Sequence, residues 1–325
     1  MILSKPNHIK IYGHRGARGD LPENTLESFQ YLFDNNINAY ETDILISKDL
    51  VPVITHDFEL DPDFTRNLSG NWIEDANIKI FDLTYEELSE FDVGSINKSS
   101  KYFRKFPDQK SLKNQNIPKL SELIELTSQN ISDDLVLNLE IKSTPVENNL
   151  TPLPDDMVKL ITDVVSKSKL KDKIIYSSFD WRVLREIKKL DPNISRAYLT
   201  SEQRGKVYDK SPWMDFMPLY DSDSRELPRL IMTLGGKAWH PNHKDVNKDI
   251  VKISHEEGLP VNVWTVNEEF DMMRMIDYGV DGIMTDYPLK LKEYCEKKIL
   301  SGFRLRLLIH AAEKLFVGFA VFHFV

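Results

Sequence analysis

Short β-rich runs alternate with helix-like segments along most of the 325 residues, and this alternation constrains the fold more than any other feature. Candidate strands are Ile9–Tyr12, Ala39–Ile46, Leu135–Ile141, Lys173–Ser177, Ser195–Leu199, Lys237–His240, Val261–Val266 and Gly282–Thr285. Helical patterns lie between and after them, over Thr25–Asn35, Ser121–Ser128, Asp155–Ser168, Trp181–Leu190, Asp245–Glu257, Glu268–Tyr278 and Leu289–Lys298. Strand–helix alternation of this kind builds a parallel sheet covered by helices. Gly13, Gly16 and Gly19 are spaced in threes, which is not the glycine pattern of a dinucleotide-binding turn. The expected fold class is therefore α/β, a closed (β/α)8 TIM barrel, and the chain length is ordinary for one such domain.

Two segments depart from the alternation. Residues 58–118 are polar and turn-rich, with Asp61-Pro62-Asp63, Ser69-Gly70-Asn71 and a compact Leu83–Leu88 turn, and read as an insertion over the mouth of the barrel. After residue 302, Leu305, Leu308, Ile309, Ala312, Leu315, Phe316 and Phe319 recur at helical spacing. The expected organisation is one barrel domain over residues 1–302 and an extra apolar C-terminal helix over 303–325. That helix would pack on the barrel or self-associate with a second subunit, or alternatively lie on a membrane surface.

A formal charge of −9 argues against general attraction to nucleic acid or anionic membrane, though not against a local basic pocket. The single cysteine, Cys295, excludes an intrachain disulfide and a thiolate metal cluster. No secretory leader and no membrane-spanning stretch is visible, so a cytoplasmic location is expected.

The chemistry concentrates at strand ends. The first apolar run stops at His14-Arg15-Gly16, and a second, Val51–Thr55, stops at His56-Asp57. Between them Glu41 and Asp43 stand two apart on a strand and so share one side. Two acids on one face repel each other unless something positive lies between them, and a hard divalent cation is the obvious candidate. Leu139-Glu140-Ile141-Lys142 supplies a third acid with a lysine on its side of the strand. Two imidazoles can serve as base and acid in one turnover, and a guanidinium suits phosphate oxygens. Each histidine alone could equally be structural. His240 and His243 flank another strand end and are weaker candidates. Pro22-Glu23-Asn24-Thr25 reads as a helix start with Asn24 as its cap, the alternative being a direct role for Glu23 or Asn24.

His14-Arg15-Gly16, Pro22–Thr25, Glu41-x-Asp43, His56-Asp57, Leu139–Lys142, Trp264-Thr265-Val266-Asn267 and Asp281–Asp286 occur in one order. Together they resemble the glycerophosphodiester phosphodiesterase family from about His14 to Pro288. The resemblance implies a metal-dependent hydrolase that releases sn-glycerol 3-phosphate and an alcohol from small glycerophosphodiesters. It implies Glu41, Asp43 and Glu140 as ligands of Ca2+ or Mg2+, His14 and His56 as the proton-transfer pair, and Arg15 and Lys142 on the phosphate. Trp264 would pack against the glycerol, or else be a buried structural residue. A lipid phosphodiesterase of the lysophospholipase D kind is the enzymatic alternative. A catalytically silent phosphodiester-binding protein is the alternative from another class. The stretch after His56-Asp57, Phe58–Arg66, departs from the family pattern, and the apolar tail has no counterpart in it.

Overall fold

The computed structural model describes residues 9–147, 149–219 and 224–297. The described residues contain nine strands: β1 (Lys10–His14), β2 (Ala39–Ile46), β3 (Pro52–Ile54), β4 (Val136–Ile141), β5 (Ile174–Ser178), β6 (Arg196–Thr200), β7 (Ala238–Pro241), β8 (Asn262–Val263) and β9 (Gly282–Thr285). All but β3 run parallel, in the order β7-β6-β5-β4-β2-β1-β9-β8. Isolated parallel bridges Trp239–Val261 and Asn242–Trp264 join β7 to β8, leaving a nearly closed eight-stranded barrel.

That seam explains why β8 is shorter than the expected Val261–Val266. Trp239 and Trp264 donate their backbone N–H groups to the carbonyls of Pro260 and Pro241, and neither proline has an N–H to return. The ladder there is thinned to single bridges.

The helices are α1 (Leu26–Asp34), α2 (Tyr85–Leu88), α3 (Lys101–Lys105), α4 (Leu120–Ser128), α5 (Pro154–Ser166), α6 (Trp181–Leu190), α7 (Leu227–Thr233), α8 (Lys248–Glu256) and α9 (Glu269–Tyr278). Helix α7 was not expected. Leu289 onward forms a separate compact unit, helical as far as residue 297 where it is described. The apolar tail expected over 303–325 lies outside the described residues. Among the described residues no helix is long and apolar enough to cross a membrane.

Strand alternation sorts side chains into two sets. One set fills the barrel, where small Ala39, Ala197 and Ala238 pack with large Tyr12, Met284 and Trp264. The other faces the helices, as where Tyr40 meets Phe29 of α1 at a ring separation of 4.8 Å.

The run ending at His56 is not a barrel stave. Strand β3 folds back antiparallel on β2, pairing Ile54 with Ile44, and the backbone N–H of Thr55 donates to Asp43. The hairpin thereby returns His56 to the level of Asp43. The chain that follows builds its own apolar cluster from Leu60, Ile73, Ile80 and Leu88 with Leu45 and Val53 of the hairpin.

Gly16 turns the chain out of β1 with φ +84°, and a Cβ there would collide with the Ser28 hydroxyl, which accepts from the Ala17 N–H at 2.8 Å. Gly16→Ala is expected to destabilise the fold by about 1–3 kcal/mol, read as a lower urea midpoint at unchanged slope.

Candidate active site

Strand register brings the acids together. His14 stands beside Glu41 across β1–β2, and Asp43 stands beside Glu140 across β2–β4. Glu41 and Asp43, two apart on β2, both point into the barrel mouth. Ligand oxygens of Glu41, Asp43 and Glu140 all lie within 4.8 Å of one another, and all three residues are buried.

The oxygens of this cluster are unequally used. Glu41 Oε2 accepts from the Arg15 N–H at 3.2 Å, and Asp43 Oδ2 accepts from Asn24 Nδ2 at 3.2 Å. Lys142 Nζ donates to Glu140 Oε1 at 2.7 Å and lies 3.6 Å from Asp43 Oδ1. Glu41 Oε1 and Asp43 Oδ1 are buried and accept no hydrogen bond. Buried acceptors without donors are costly, and a cation satisfies them. Burial and the charges of Asp43 and Glu140 push the Glu41 carboxyl well above its ordinary range. Burial also pushes Asp43 up, but the charges of His56, Arg15 and Lys142 outweigh it and hold that carboxyl lowered. An all-oxygen, all-carboxylate set with orphaned acceptors fits a hard divalent cation.

Each histidine is oriented by a carboxylate. His14 Nδ1 donates to Asp286 Oδ1 at 2.7 Å, which leaves Nε2 facing Glu41 Oε2 at 3.8 Å. His56 Nδ1 donates to Asp57 Oδ1 at 2.6 Å. An ionised carboxylate can only accept, so the ring proton sits on Nδ1 and the Nε2 lone pair is free. Burial, helped by Arg18, lowers His14 to about 4 against the pull of Asp286. Burial, with Arg15 and Lys142, lowers His56 well below its ordinary value. His14, Glu41, His56 and Glu140 line one cavity of about 300 Å3.

Arg15 is held in a left-handed turn at φ 53°, its Nη1 on Glu23 at 2.8 Å and its Nε 3.3 Å from Asp43. Trp264 is 7% exposed, donates Nε1 to the His240 carbonyl at 2.8 Å and lines the same cavity as His14. It is thus both buried and site-facing. His240 and His243 are outside this cluster; His240 Nε2 meets Asn262 Nδ2 at 3.0 Å, and His243 lies 3.6 Å from Asp271.

The expectation that Asn24 caps α1 is corrected. Thr25 is the cap, its side chain accepting from the Ser28 N–H. Asn24, at φ 56°, instead donates to Asp43 and accepts from the Thr42 hydroxyl at 2.9 Å. Its short amide tolerates that turn and reaches β2 from it.

Several contributors carried no assigned role in the sequence. Asp286 follows β9, which barrel closure places beside β1, and it also takes two bonds from Arg18 at 2.8 and 2.9 Å and one from Asn267 at 2.6 Å. The pairing of Gly13 with Thr285 is the signal that could have found it. Tyr102 of α3 bonds Glu23, and the Arg18 guanidinium lies 5.0 Å from the centre of the Phe106 ring, so the stretch after β3 contributes to the rim.

Comparison with known proteins places the chain in a family. The family model of the glycerophosphoryl diester phosphodiesterases matches residues 14–290. A glycerophosphodiester phosphodiesterase of Bacillus altitudinis is 29% identical over 289 residues, covering 87% of this chain and 98% of that protein. The crystal structure of a Silicibacter pomeroyi protein assigned to the glycerophosphoryl diester phosphodiesterases superposes with a TM-score of 0.83 at 34% identity, covering 91% of this chain and 96% of that one. An Oleispira antarctica phosphodiesterase solved with the product sn-glycerol-3-phosphate gives a TM-score of 0.64 at 25% identity, with coverages of 87% and 95%.

Proposed function

This chain belongs to the glycerophosphoryl diester phosphodiesterase family, and on that premise we propose that it cleaves glycerophosphodiesters to sn-glycerol 3-phosphate and an alcohol with a divalent cation and two histidines. One observation carries the reading: two carboxylate-oriented imidazoles open onto a cavity lined by Glu41 and Glu140, whose oxygens converge with those of buried Asp43, and an oxygen each of Glu41 and Asp43 has no donor.

Glu41, Asp43 and Glu140 are the residues that would hold the cation. When bound, such a cation supplies Lewis-acid polarisation of a nonbridging phosphate oxygen. Arg15 and Lys142, both facing the acids, bring positive charge to the same oxygens and stabilise what accumulates there in the transition state. One imidazole accepts a proton at Nε2, from either the glycerol hydroxyl adjacent to phosphorus or a water. The other, having first taken a proton from solvent at Nε2, delivers that proton to the departing alkoxide and returns to the neutral Nδ1–H form. Asp286 and Asp57 fix each ring's tautomer and hold its Nε2 toward the reacting atoms. Trp264, which lines the same cavity, packs beside the glycerol carbons.

Incubating the protein and a divalent cation with glycerophosphoinositol is expected to release sn-glycerol 3-phosphate, detected by coupled oxidation. Absence of that product across several head groups, with intact folding, would sink the reading. Release of lysophosphatidic acid from a lysolipid at a higher rate would move the assignment to the lipid-cleaving alternative.

A further inference from the structure

Beside the acids and histidines, a second cavity of about 160 Å3 shares His56, Asp57, Glu140, Phe179 and Arg204 with the first and extends past Lys142 to Lys206 and Trp213. Its wall is aromatic. Phe179 meets Trp264 edge-on at 5.3 Å, and Trp213 packs against the same cluster. Three aromatic faces of this kind would ordinarily suit a quaternary ammonium. Here the protein's own cations occupy them. Lys206 Nζ lies 3.1 Å from the centre of the Trp213 ring and 4.4 Å from that of Phe179. The Arg204 guanidinium lies 5.1 Å from the Trp264 ring and 5.8 Å from Phe179.

The segment after β6 that carries both is anchored. Arg204 donates its backbone N–H to the Ser201 hydroxyl at 3.2 Å, Lys206 donates its own to the Ser201 carbonyl at 3.1 Å, and Ser211 bonds the Lys206 carbonyl at 2.7 Å. Asp245 accepts from the Glu202 N–H at 2.8 Å. Among the described residues neither cationic side chain has a carboxylate ion-pair partner. Lys142, the next cation inward, is already committed to Glu140.

We infer that Arg204 and Lys206 form an anion-selecting shelf on the alcohol side of the site, so that the enzyme prefers glycerophosphodiesters whose departing alcohol itself carries a negative charge. The inference rests on the hydrolase reading above and names its substrate class. A partly desolvated ammonium without an ion-pair partner is unfavourable until an anion meets it, and burial together with Lys142 outweighs the opposing pull of Glu140 and lowers Lys206 to about 7, in keeping with that cost. A cationic alcohol such as choline would find its aromatic faces filled and like charges in its path. A phosphate or carboxylate on the alcohol would find donors already aimed.

The test compares kcat/KM for glycerophosphocholine, glycerophosphoinositol and glycerophosphoinositol 4-phosphate in saturating divalent cation. Wild type is expected to favour the phosphorylated substrate over the choline ester by at least about tenfold, the scale of one charge-assisted hydrogen bond. Lys206→Met and Arg204→Gln are each expected to shrink that ratio by about tenfold, chiefly through KM, with Lys206→Arg restoring most of it. Equal or better use of the choline ester by wild type would overturn the shelf. So would variants that slow all three substrates alike, since the cations would then serve the shared phosphodiester. Titration calorimetry with inositol 4-phosphate and with choline reads the shelf independently of turnover. If no substrate is cleaved yet inositol 4-phosphate binds wild type and not Lys206→Met, the hydrolase reading fails and the shelf stands; if neither molecule binds more tightly than the other, the shelf fails.

Discussion

Alanine at Glu41, Asp43 or Glu140 is expected to slow turnover by about 10³-fold, and a chelator is expected to abolish it until a divalent cation is returned in excess. The scale follows from several kcal/mol of transition-state charge stabilisation, with each 1.36 kcal/mol worth a factor of about ten. Stability should move differently from activity. Glu41 is buried among like charges that push its carboxyl up, and one of its oxygens has no donor. Glu41→Gln removes a repulsive charge at constant shape, so in chelator its Tm should match or exceed that of wild type while catalysis is lost. Chelator-resistant hydrolysis would contradict the ligand assignment, and a lowered Tm in Glu41→Gln would contradict the repulsion argument.

The second large effect concerns the imidazoles. His14→Ala and His56→Ala should each lower kcat by about 10²–10⁴-fold, and the double variant by less than the product, because the two groups act within one proton circuit. A protein that kept full turnover without one histidine would remove that residue from the mechanism. The pH profile gives a separate reading. A base must be unprotonated to accept; His14 is held at about 4, so it stays neutral down to that pH and is lost as an acceptor only below it. The acid limb of kcat/KM is therefore expected well under the ordinary histidine value of about 6.5. Asp286→Asn should slow the reaction and shift that limb, because the amide no longer fixes the Nδ1 proton. A limb that stays in place in that variant would show that a different group governs it.

Much of this was legible in the chain because barrel staves are short apolar runs and their ends carry the polar residues. Ala39–Ile46 and Gly282–Thr285 coincide with β2 and β9, and the Glu41–Asp43 spacing alone places both acids on one side. What escaped notice depends on neighbours far away in sequence. The run before His56 looks like a stave, and only its pairing with β2 reveals a hairpin. Helix α7 starts at Leu227-Pro228 after a polar stretch that gives no helical periodicity. Arg204 and Lys206 carry no signal of their own in the sequence, since the rings beside them come from Phe179, Trp213 and Trp264. Asp286 lies 272 residues from the imidazole it orients.

That last separation has a bearing on biosynthesis. His14 is translated 272 residues ahead of its orienting carboxylate, which follows the last stave. The pairing of β9 with β1 is what brings that carboxylate to the imidazole. On the proposed mechanism the final stitch of the cylinder completes the site, so translation products truncated before Asp286 are expected to be inert.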